Sequence, residues 1–119
     1  MEARFRSTED VFNDHLELAY SGDVDTDVSR NFAHDCVLLT SIGVFRGHKG
    51  VREAAGLLFA ELPNARYAYR TRLVHDEMAF LQWTAIADGV RVDDGADSFL
   101  IRDGLIQVMT FHYTVIPNP

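Results

Sequence analysis

The stretch GVRVDDGADSFLIRDGLIQVMTFHYTV (Gly89–Val115) decides the fold, because it holds two long β-patterned runs that fold back at Arg102–Gly104. One carboxylate, Asp97, lies just before the most apolar part of the first run, Phe99–Ile101. Burying a carboxylate without a partner is costly, so Asp97 either points to water or belongs to a site. The stretch therefore predicts a long β-hairpin that carries one candidate functional residue.

The hairpin ends a series of strands that fills the second half of the chain. Strand patterns span 66–74, 78–87, 90–101 and 105–116, and short polar turns separate them; only 117–119 reads as a tail. Consecutive strands joined by tight turns form an antiparallel meander. Because strands of this length twist and coil, the pattern predicts a curved sheet with a concave face.

Three helices are predicted in the first half of the chain. Ser7 is an N-cap for a helix over 8–20, Asp23 starts a short second helix with an apolar stripe that reaches Phe32, and the third covers about 51–62. Two short strands, at 36–41 and 44–46, precede the third helix. This order predicts an α+β half-barrel of about six strands, a cone whose concave face is closed by the helices and encloses a ligand site.

Composition excludes several classes of protein. At 119 residues the chain is expected to be one domain, 1–119, and its net charge of −7 with scattered Lys and Arg argues against a nucleic-acid partner. No apolar run approaches the roughly 20 residues that span a membrane, and the N-terminus lacks the apolar core of a signal peptide. Cys36 is the only cysteine, so we expect no disulfide and a cytoplasmic location.

Three motifs, taken with the order of elements, give the chain a family resemblance. They are YSGDVD (Tyr20–Asp25), FRGHKGV (Phe45–Val51) and DGLIQVM (Asp103–Met109). Over about residues 8–115 the chain resembles the nuclear transport factor 2-like superfamily, and more narrowly the SnoaL-like group that includes polyketide cyclases and ketosteroid isomerases. The resemblance implies a cystatin-like α+β barrel. It leaves function open, because this scaffold hosts isomerases, dehydratases, cyclases, epoxide hydrolases and noncatalytic binding domains.

The resemblance to ketosteroid isomerase implies roles for three positions. Asp97 falls where the isomerase has a protonated aspartate that donates a hydrogen bond to the developing oxyanion, and His15 falls where it has its oxyanion tyrosine. Thr40 falls where the isomerase has its proton-shuttling aspartate. A threonine cannot abstract a carbon-bound proton, which argues against ketosteroid isomerase activity itself.

These residues support an enzyme hypothesis, in which His15 is the base and Asp97 the acid or oxyanion donor. The reaction would be a cofactor-independent isomerisation, dehydration or aldol-type cyclisation of a small apolar carbonyl compound. No metal-ligand spacing or nucleotide-binding fingerprint occurs, so no metal or cofactor is predicted. The structural alternatives are an Asp97 paired at the surface with Arg72 or Arg91, and a His15 that bonds a backbone carbonyl in the core.

Further residues are predicted to contact the ligand. The resemblance places Gln82, Thr84 and Ile86 on the concave face, although a shift of one residue would exchange them with Trp83. It also places Met109, Phe111 and Tyr113 in the cavity wall, where the alternative is plain core packing. The predicted ligand-contacting residues are Tyr20, Thr40, Phe59, Gln82, Thr84, Ile86, Phe99, Met109, Phe111 and Tyr113.

The outer face of the sheet is predicted to carry Trp83, Leu100 and Val108, which is too much apolar surface to leave in water. We therefore expect a homodimer through this face, as the family usually forms. The alternative to the enzyme hypothesis is a noncatalytic domain that binds a small apolar ligand in the cone or serves in dimeric assembly.

Overall fold

The computed structural model describes residues 6–119, in which three helices precede or interrupt a sheet of mostly antiparallel strands. The elements are α1 (Thr8–Ser21), α2 (Val24–Asn31), β1 (Phe32–Thr40), β2 (Gly43–Arg46), α3 (Gly47–Glu61), β3 (Arg66–His75), β4 (Met78–Ala87), β5 (Val90–Arg102), β6 (Leu105–His112) and β7 (Ile116–Pro117). None of the helices in this part of the chain is long and apolar enough to cross a membrane.

The strands form one sheet in the order β2-β1-β6-β5-β4-β3. The meander from β3 to β6 is antiparallel throughout, and β1 joins it by running parallel to β6. The two ends of the sheet, β2 and β3, do not pair with each other, so the sheet is curved but unclosed. The helices lie across its concave face, which confirms the predicted α+β half-barrel.

The decisive hairpin forms as predicted, with β5 paired to β6 in the register Phe99 to Met109. Its turn residues Asp103 and Gly104 both have positive φ, 56° and 73°, a conformation that fits the right-handed twist of a two-residue hairpin and suits Asp-Gly. Because side chains alternate along a strand, Asp97 and Phe99 lie together on the buried, concave face.

The helices α1 and α2 begin at the predicted caps, whereas α2 ends one residue before the predicted end. Ser7 Oγ accepts a hydrogen bond from the Asp10 amide at 3.0 Å, and the Asp23 side chain caps α2. The apolar stripe of α2 was predicted to extend the helix to Phe32, and β1 was predicted to begin only at Cys36. Phe32 is instead the first residue of β1, because its backbone pairs with Ile106 of β6 while its ring enters the core.

The C-terminus corrects a second prediction. Residues 105–116 were predicted to form one strand and 117–119 a tail, but β6 ends at His112. After a short break, Ile116 and Pro117 pair with the start of β5, and the Asn118 amide donates to the Gly89 carbonyl at 2.9 Å. The end of the chain is therefore held against the sheet.

A glycine beside a bulge in the meander accommodates the single tryptophan. The register between β4 and β5 shifts between Trp83 and Ala85, and Gly95 lies opposite Trp83. A Cβ at residue 95 would overlap the indole ring, so glycine makes room for Trp83 on the concave face. This glycine allows Trp83 to lie inside the cone.

Candidate active site

The helices and the concave face of the sheet line a partly open cavity of about 110 Å³. All three helices contribute to its wall, and the sheet contributes a largely aromatic floor. The floor residues are Phe32, Leu38, Tyr67, Tyr69, Leu81, Trp83, Asp97, Met109, Phe111 and Tyr113. The cavity is therefore predominantly apolar, with a small number of polar groups, as is usual for a small-molecule site.

Asp97 lies in the wall of this cavity and is only 9% exposed. Its Oδ1 accepts a hydrogen bond from Trp83 Nε1 at 3.0 Å. Burial raises the pKa of Asp97 to about 7, although the Trp83 hydrogen bond and the nearby charge of His15 act in the opposite direction. The predicted alternative, a surface pair with arginine, is wrong: Arg91 bonds Asp93, and Arg72 lies over the ring of Tyr69.

His15 faces the same cavity from α1 and is paired with a second buried carboxylate. Its Nδ1 donates to Asp27 of α2 at 2.8 Å to Oδ2 and 3.0 Å to Oδ1. Burial alone would lower the pKa of His15, but the charge and hydrogen bond of Asp27, with smaller contributions from Asp97 and Asp14, outweigh it and raise the pKa. The alternative of a core histidine bonded to a backbone carbonyl is therefore also wrong.

A chain of hydrogen bonds supports Asp27 from behind. The fully buried Asn31 donates from Nδ2 to Asp27 Oδ1 at 2.9 Å. Arg6 in turn donates to Asn31 Oδ1 at 2.8 Å and to two backbone carbonyls. These contacts fix the Asp27 carboxylate, which holds the imidazole of His15 through Nδ1. The orientation of His15 Nε2 is therefore set by the protein and does not depend on a ligand.

Sequence reasoning missed Asp27. The signal was present, since Asp27 lies between Val24 and Val28 of the apolar stripe and four residues before Asn31, so all four share one side of the helix. A carboxylate beside the buried stripe of a short helix needs a partner. Nothing in the sequence, however, indicates that this partner is His15 of α1.

Three polar groups of the cavity wall have hydrogen-bonding capacity left over. Within residues 6–119, every hydrogen bond of the His15 ring is made at Nδ1, and Asp97 accepts only through Oδ1. The buried Tyr67 hydroxyl has no partner in the same range. The hydroxyls of Tyr69 and Tyr113 are already used, on the Leu16 carbonyl and on the Glu61 carboxylate. His15 Nε2, Asp97 Oδ2 and Tyr67 Oη are thus available to a ligand.

Four of the predicted ligand-contacting residues line the cavity: Phe59, Met109, Phe111 and Tyr113. Phe99 does not. It is buried behind the wall, where its ring packs edge-on against His15 and Phe12 at centroid distances of 5.3 Å. Its contribution is to hold the imidazole in place.

The predicted face of β4 is wrong. Leu81, Trp83 and Ala85 are the buried residues of this strand, so Gln82, Thr84 and Ile86 point away from the cavity. Ile86 is 59% exposed. The cause is the register of the strand: β4 alternates without a break, and Leu81 and Trp83 lie opposite Asp97 and Gly95 of the concave face, which reverses the face expected from the resemblance.

Thr40 and Tyr20 also lie outside the cavity. Thr40 Oγ1 donates to the Gly43 carbonyl and accepts from the Ile42 amide, so this side chain closes the turn between β1 and β2. Phe32 and Leu38 are the β1 residues that line the wall. Tyr20 is 51% exposed, because it follows the last buried turn of α1 and packs edge-on against Tyr67 from outside.

No cluster of three or more His, Cys, Asp or Glu side chains suited to a metal ion occurs among the residues that the structure describes. The polar chemistry of the cavity is that of two carboxylates, one imidazole and the phenol of Tyr67. Such a set can bind, orient and transfer protons.

Comparison with known proteins identifies the relationship. The family model described as the SnoaL-like domain matches residues 12–109. The chain belongs to the SnoaL-like family. No curated protein matches this SnoaL-like sequence.

Solved structures show the same fold at low sequence identity. A proposed ketosteroid isomerase from Kribbella flavida has a TM-score of 0.76 and 13% identity, with 94% of this chain and 81% of that chain covered. A proposed polyketide cyclase from Sinorhizobium meliloti has a TM-score of 0.74 and 18% identity, with 90% and 99% covered. An NTF2-like protein of unknown function from Cytophaga hutchinsonii has a TM-score of 0.72 and 10% identity, with 96% and 95% covered. The resemblance noted from the sequence is confirmed.

Proposed function

We propose that this SnoaL-like protein is a cofactor-independent acid–base enzyme that isomerises, dehydrates or cyclises a small, largely apolar carbonyl compound. One observation carries the proposal: the buried Asp97 and the His15–Asp27 pair face the same apolar cavity. Perturbed titratable groups that converge in a cavity are typical of acid–base sites. Two structures with the same fold are named as a proposed ketosteroid isomerase and a proposed polyketide cyclase, which agrees with this class of chemistry.

The surroundings of the two groups favour roles opposite to those predicted from the sequence. Asp27 stabilises the protonated imidazole and raises its pKa, so His15 is suited to donate a proton from Nε2. Asp97, with a pKa of about 7, is partly ionised at neutral pH. A general base is most effective when its pKa lies near the working pH, so Asp97 is the better base.

The reaction then follows from these roles. Asp97 Oδ2 removes a proton from the carbon next to the substrate carbonyl, and the electron pair of the broken C–H bond moves to form an enol. His15 Nε2–H donates to the carbonyl oxygen as negative charge develops there, an interaction worth roughly 3–4 kcal/mol for a well-placed donor. Return of the proton to another carbon gives an isomer, and loss of a neighbouring hydroxyl as water gives a dehydrated product.

Trp83 supports this step by holding the other carboxyl oxygen. Its Nε1–H bond to Asp97 Oδ1 fixes the plane of the carboxyl group and leaves Oδ2 toward the ligand. Phe99 supports the acid in the same way, since its ring packs against the imidazole. Both contacts are made by fully or nearly fully buried side chains, so the groups are preorganised.

The first half of the reaction can be tested without knowing the natural substrate. In D₂O, removal and return of a proton replaces hydrogen by deuterium next to the carbonyl of a small ketone such as cyclohexanone, and NMR follows the rate. The native protein is expected to accelerate exchange, and Asp97→Asn is expected to reduce the acceleration at least 100-fold. Asp93→Asn, a change of the same kind at an exposed site on the same strand, is expected to retain it.

Exchange at the uncatalysed rate in the native protein would contradict the enzyme proposal. If ketones nevertheless bind in the cavity, the noncatalytic ligand-binding alternative is the correct one. Equal exchange by the native protein and by Asp97→Asn would contradict the assignment of the base.

A second proposal concerns the outer face of the sheet, which we propose is covered by a second copy of the chain. An apolar row crosses four adjacent strands on this face and consists of the cross-strand partners Val37, Val108, Leu100 and Met78. A face of this kind is typical of a protein interface. Trp83, which was predicted to belong to this face, lies in the cavity instead. The proposal predicts that the protein is a dimer in solution, and analytical ultracentrifugation measures this oligomeric state.

A further inference from the structure

The size of the cavity limits the ligand. Its volume of about 110 Å³ is smaller than that of an engineered apolar cavity of about 150 Å³ that holds one benzene molecule. The cavity is also lined from α3, by Val51, Ala54, Leu58 and Phe59. The space is therefore at most that of one six-membered ring or a short chain, and a molecule with several fused rings exceeds it.

The charges of the wall limit the ligand further. Among the described residues that line the cavity there is no lysine or arginine. His15 and Asp27 neutralise each other at 2.8 Å, so the remaining charge is that of Asp97 whenever it is ionised. A ligand carboxylate or phosphate would meet no countercharge, and an uncompensated charge in an apolar cavity is strongly disfavoured.

The groups with spare hydrogen-bonding capacity favour an oxygen atom on the ligand. His15 Nε2–H and the Tyr67 hydroxyl both donate, whereas Asp97 offers one free oxygen. An ammonium ligand would bring three donors to two spare acceptors, Asp97 Oδ2 and the Tyr67 hydroxyl, and would leave His15 Nε2–H without an acceptor. A carbonyl oxygen accepts from two donors and relieves the unpaired hydroxyl of Tyr67, a buried group that is costly to leave without a partner.

We infer that the cavity binds an uncharged molecule of about one six-membered ring with a single carbonyl oxygen, which the hydroxyl of Tyr67 and Nε2 of His15 bind together. Tyr67 is thus a specificity-determining residue of the site. The inference rests on the proposed function for the use of this cavity, and it makes the substrate a small monocyclic or short-chain carbonyl compound, which excludes steroids, fused polycyclic compounds and organic acids.

Trp83 is the only tryptophan of the chain and lines the cavity, so its fluorescence reports binding directly. We expect cyclohexanone to give a saturable change. Five other compounds are each expected to bind at least about 10-fold more weakly than cyclohexanone. They are the oxygen-free isostere methylenecyclohexane, the charged cyclohexanecarboxylate and cyclohexylammonium, the bicyclic 2-decalone and a 3-ketosteroid.

Two variants separate the contributions of hydrogen bonding and size. Tyr67→Phe is expected to reduce the preference for cyclohexanone over methylenecyclohexane by about 10-fold, while Tyr20→Phe, outside the cavity, is expected to retain it. Phe59→Ala enlarges the cavity from the α3 side and is expected to strengthen the binding of 2-decalone relative to cyclohexanone.

Three results would overturn the inference: no saturable response to cyclohexanone, binding of the steroid or the carboxylate as tight as that of cyclohexanone, or an unchanged preference in Tyr67→Phe. The binding series is independent of turnover. If the series holds but deuterium exchange is not accelerated, the proposed function alone fails. If exchange is accelerated but the series fails, this inference alone fails.

Discussion

Replacement of Asp97 by asparagine is expected to stabilise the protein above pH 7, although it removes a cavity residue. Asparagine has nearly the same shape, and its carbonyl oxygen can accept the Trp83 Nε1 hydrogen bond that Asp97 Oδ1 accepts at 3.0 Å. What the substitution removes is the cost of keeping a negative charge in an apolar cavity.

The magnitude follows from the pKa of Asp97. In the unfolded chain this carboxyl group has a pKa of 3.8, and in the folded protein burial raises its pKa to about 7. Between these values the folded protein keeps a proton that the unfolded chain has lost, so the stability contributed by the protonated carboxyl falls as pH rises from about 4 to about 7 and is lost above that. At about 1.4 kcal/mol per pKa unit, the total loss is roughly 4 kcal/mol.

The assay is urea unfolding at pH 5 and pH 8. The free energy of unfolding of Asp97→Asn minus that of the native protein is expected to be larger at pH 8 than at pH 5, by roughly 2–3 kcal/mol. Asp93→Asn, at an exposed position on the same strand, is the matched control and is expected to give a difference near zero at both values. His15 is common to all three proteins, so its titration largely cancels.

A difference between Asp97→Asn and the native protein that is the same at pH 5 and pH 8 would refute the reasoning. It would mean that Asp97 is ionised at both values and is stabilised by a partner stronger than the indole of Trp83.

Three further predictions follow from the contacts of single residues. Asp27→Asn removes the charge that raises the pKa of His15 and leaves burial, which lowers it, so NMR titration is expected to give a His15 pKa below 6.5; a raised value would show that Asp27 is not the cause. Gly95→Ala places a methyl group against the Trp83 ring and is expected to destabilise the fold by about 1–3 kcal/mol in urea unfolding, and no loss would contradict the close packing. Leu100→Lys is expected to convert the proposed dimer to a folded monomer in ultracentrifugation, and an unchanged dimer would place the interface elsewhere.

Local patterns were sufficient to predict the architecture. The Asp-Gly turn between two long β-patterned runs predicts the β5–β6 hairpin, and the apolar stripe over 51–62 predicts α3, which ends at Glu61. These features depend on residues that are close in sequence. Asp97 was singled out because a carboxylate within an apolar strand is costly unless the fold provides a site for it, and the structure buries it in the cavity wall.

The remaining parts of the site depend on contacts between distant residues. The pairing of His15 with Asp27 joins two helices whose packing is not encoded in the spacing of either. The face of β4 was assigned wrongly because both of its faces carry apolar residues: Phe80 and Ile86 point outward while Leu81 and Trp83 point inward. Hydrophobic alternation cannot choose between two such faces, and the choice is made by packing against β5, where Gly95 leaves room for the Trp83 ring on the concave face.

The rate of deuterium exchange into cyclohexanone as a function of pH tests most directly whether the cavity transfers protons. If Asp97 is the base, the protein-dependent rate rises as pH increases through about 7, and Asp97→Asn loses this rise. A protein-dependent rate that does not change with pH, or one that follows the same profile in the variant, would contradict the account.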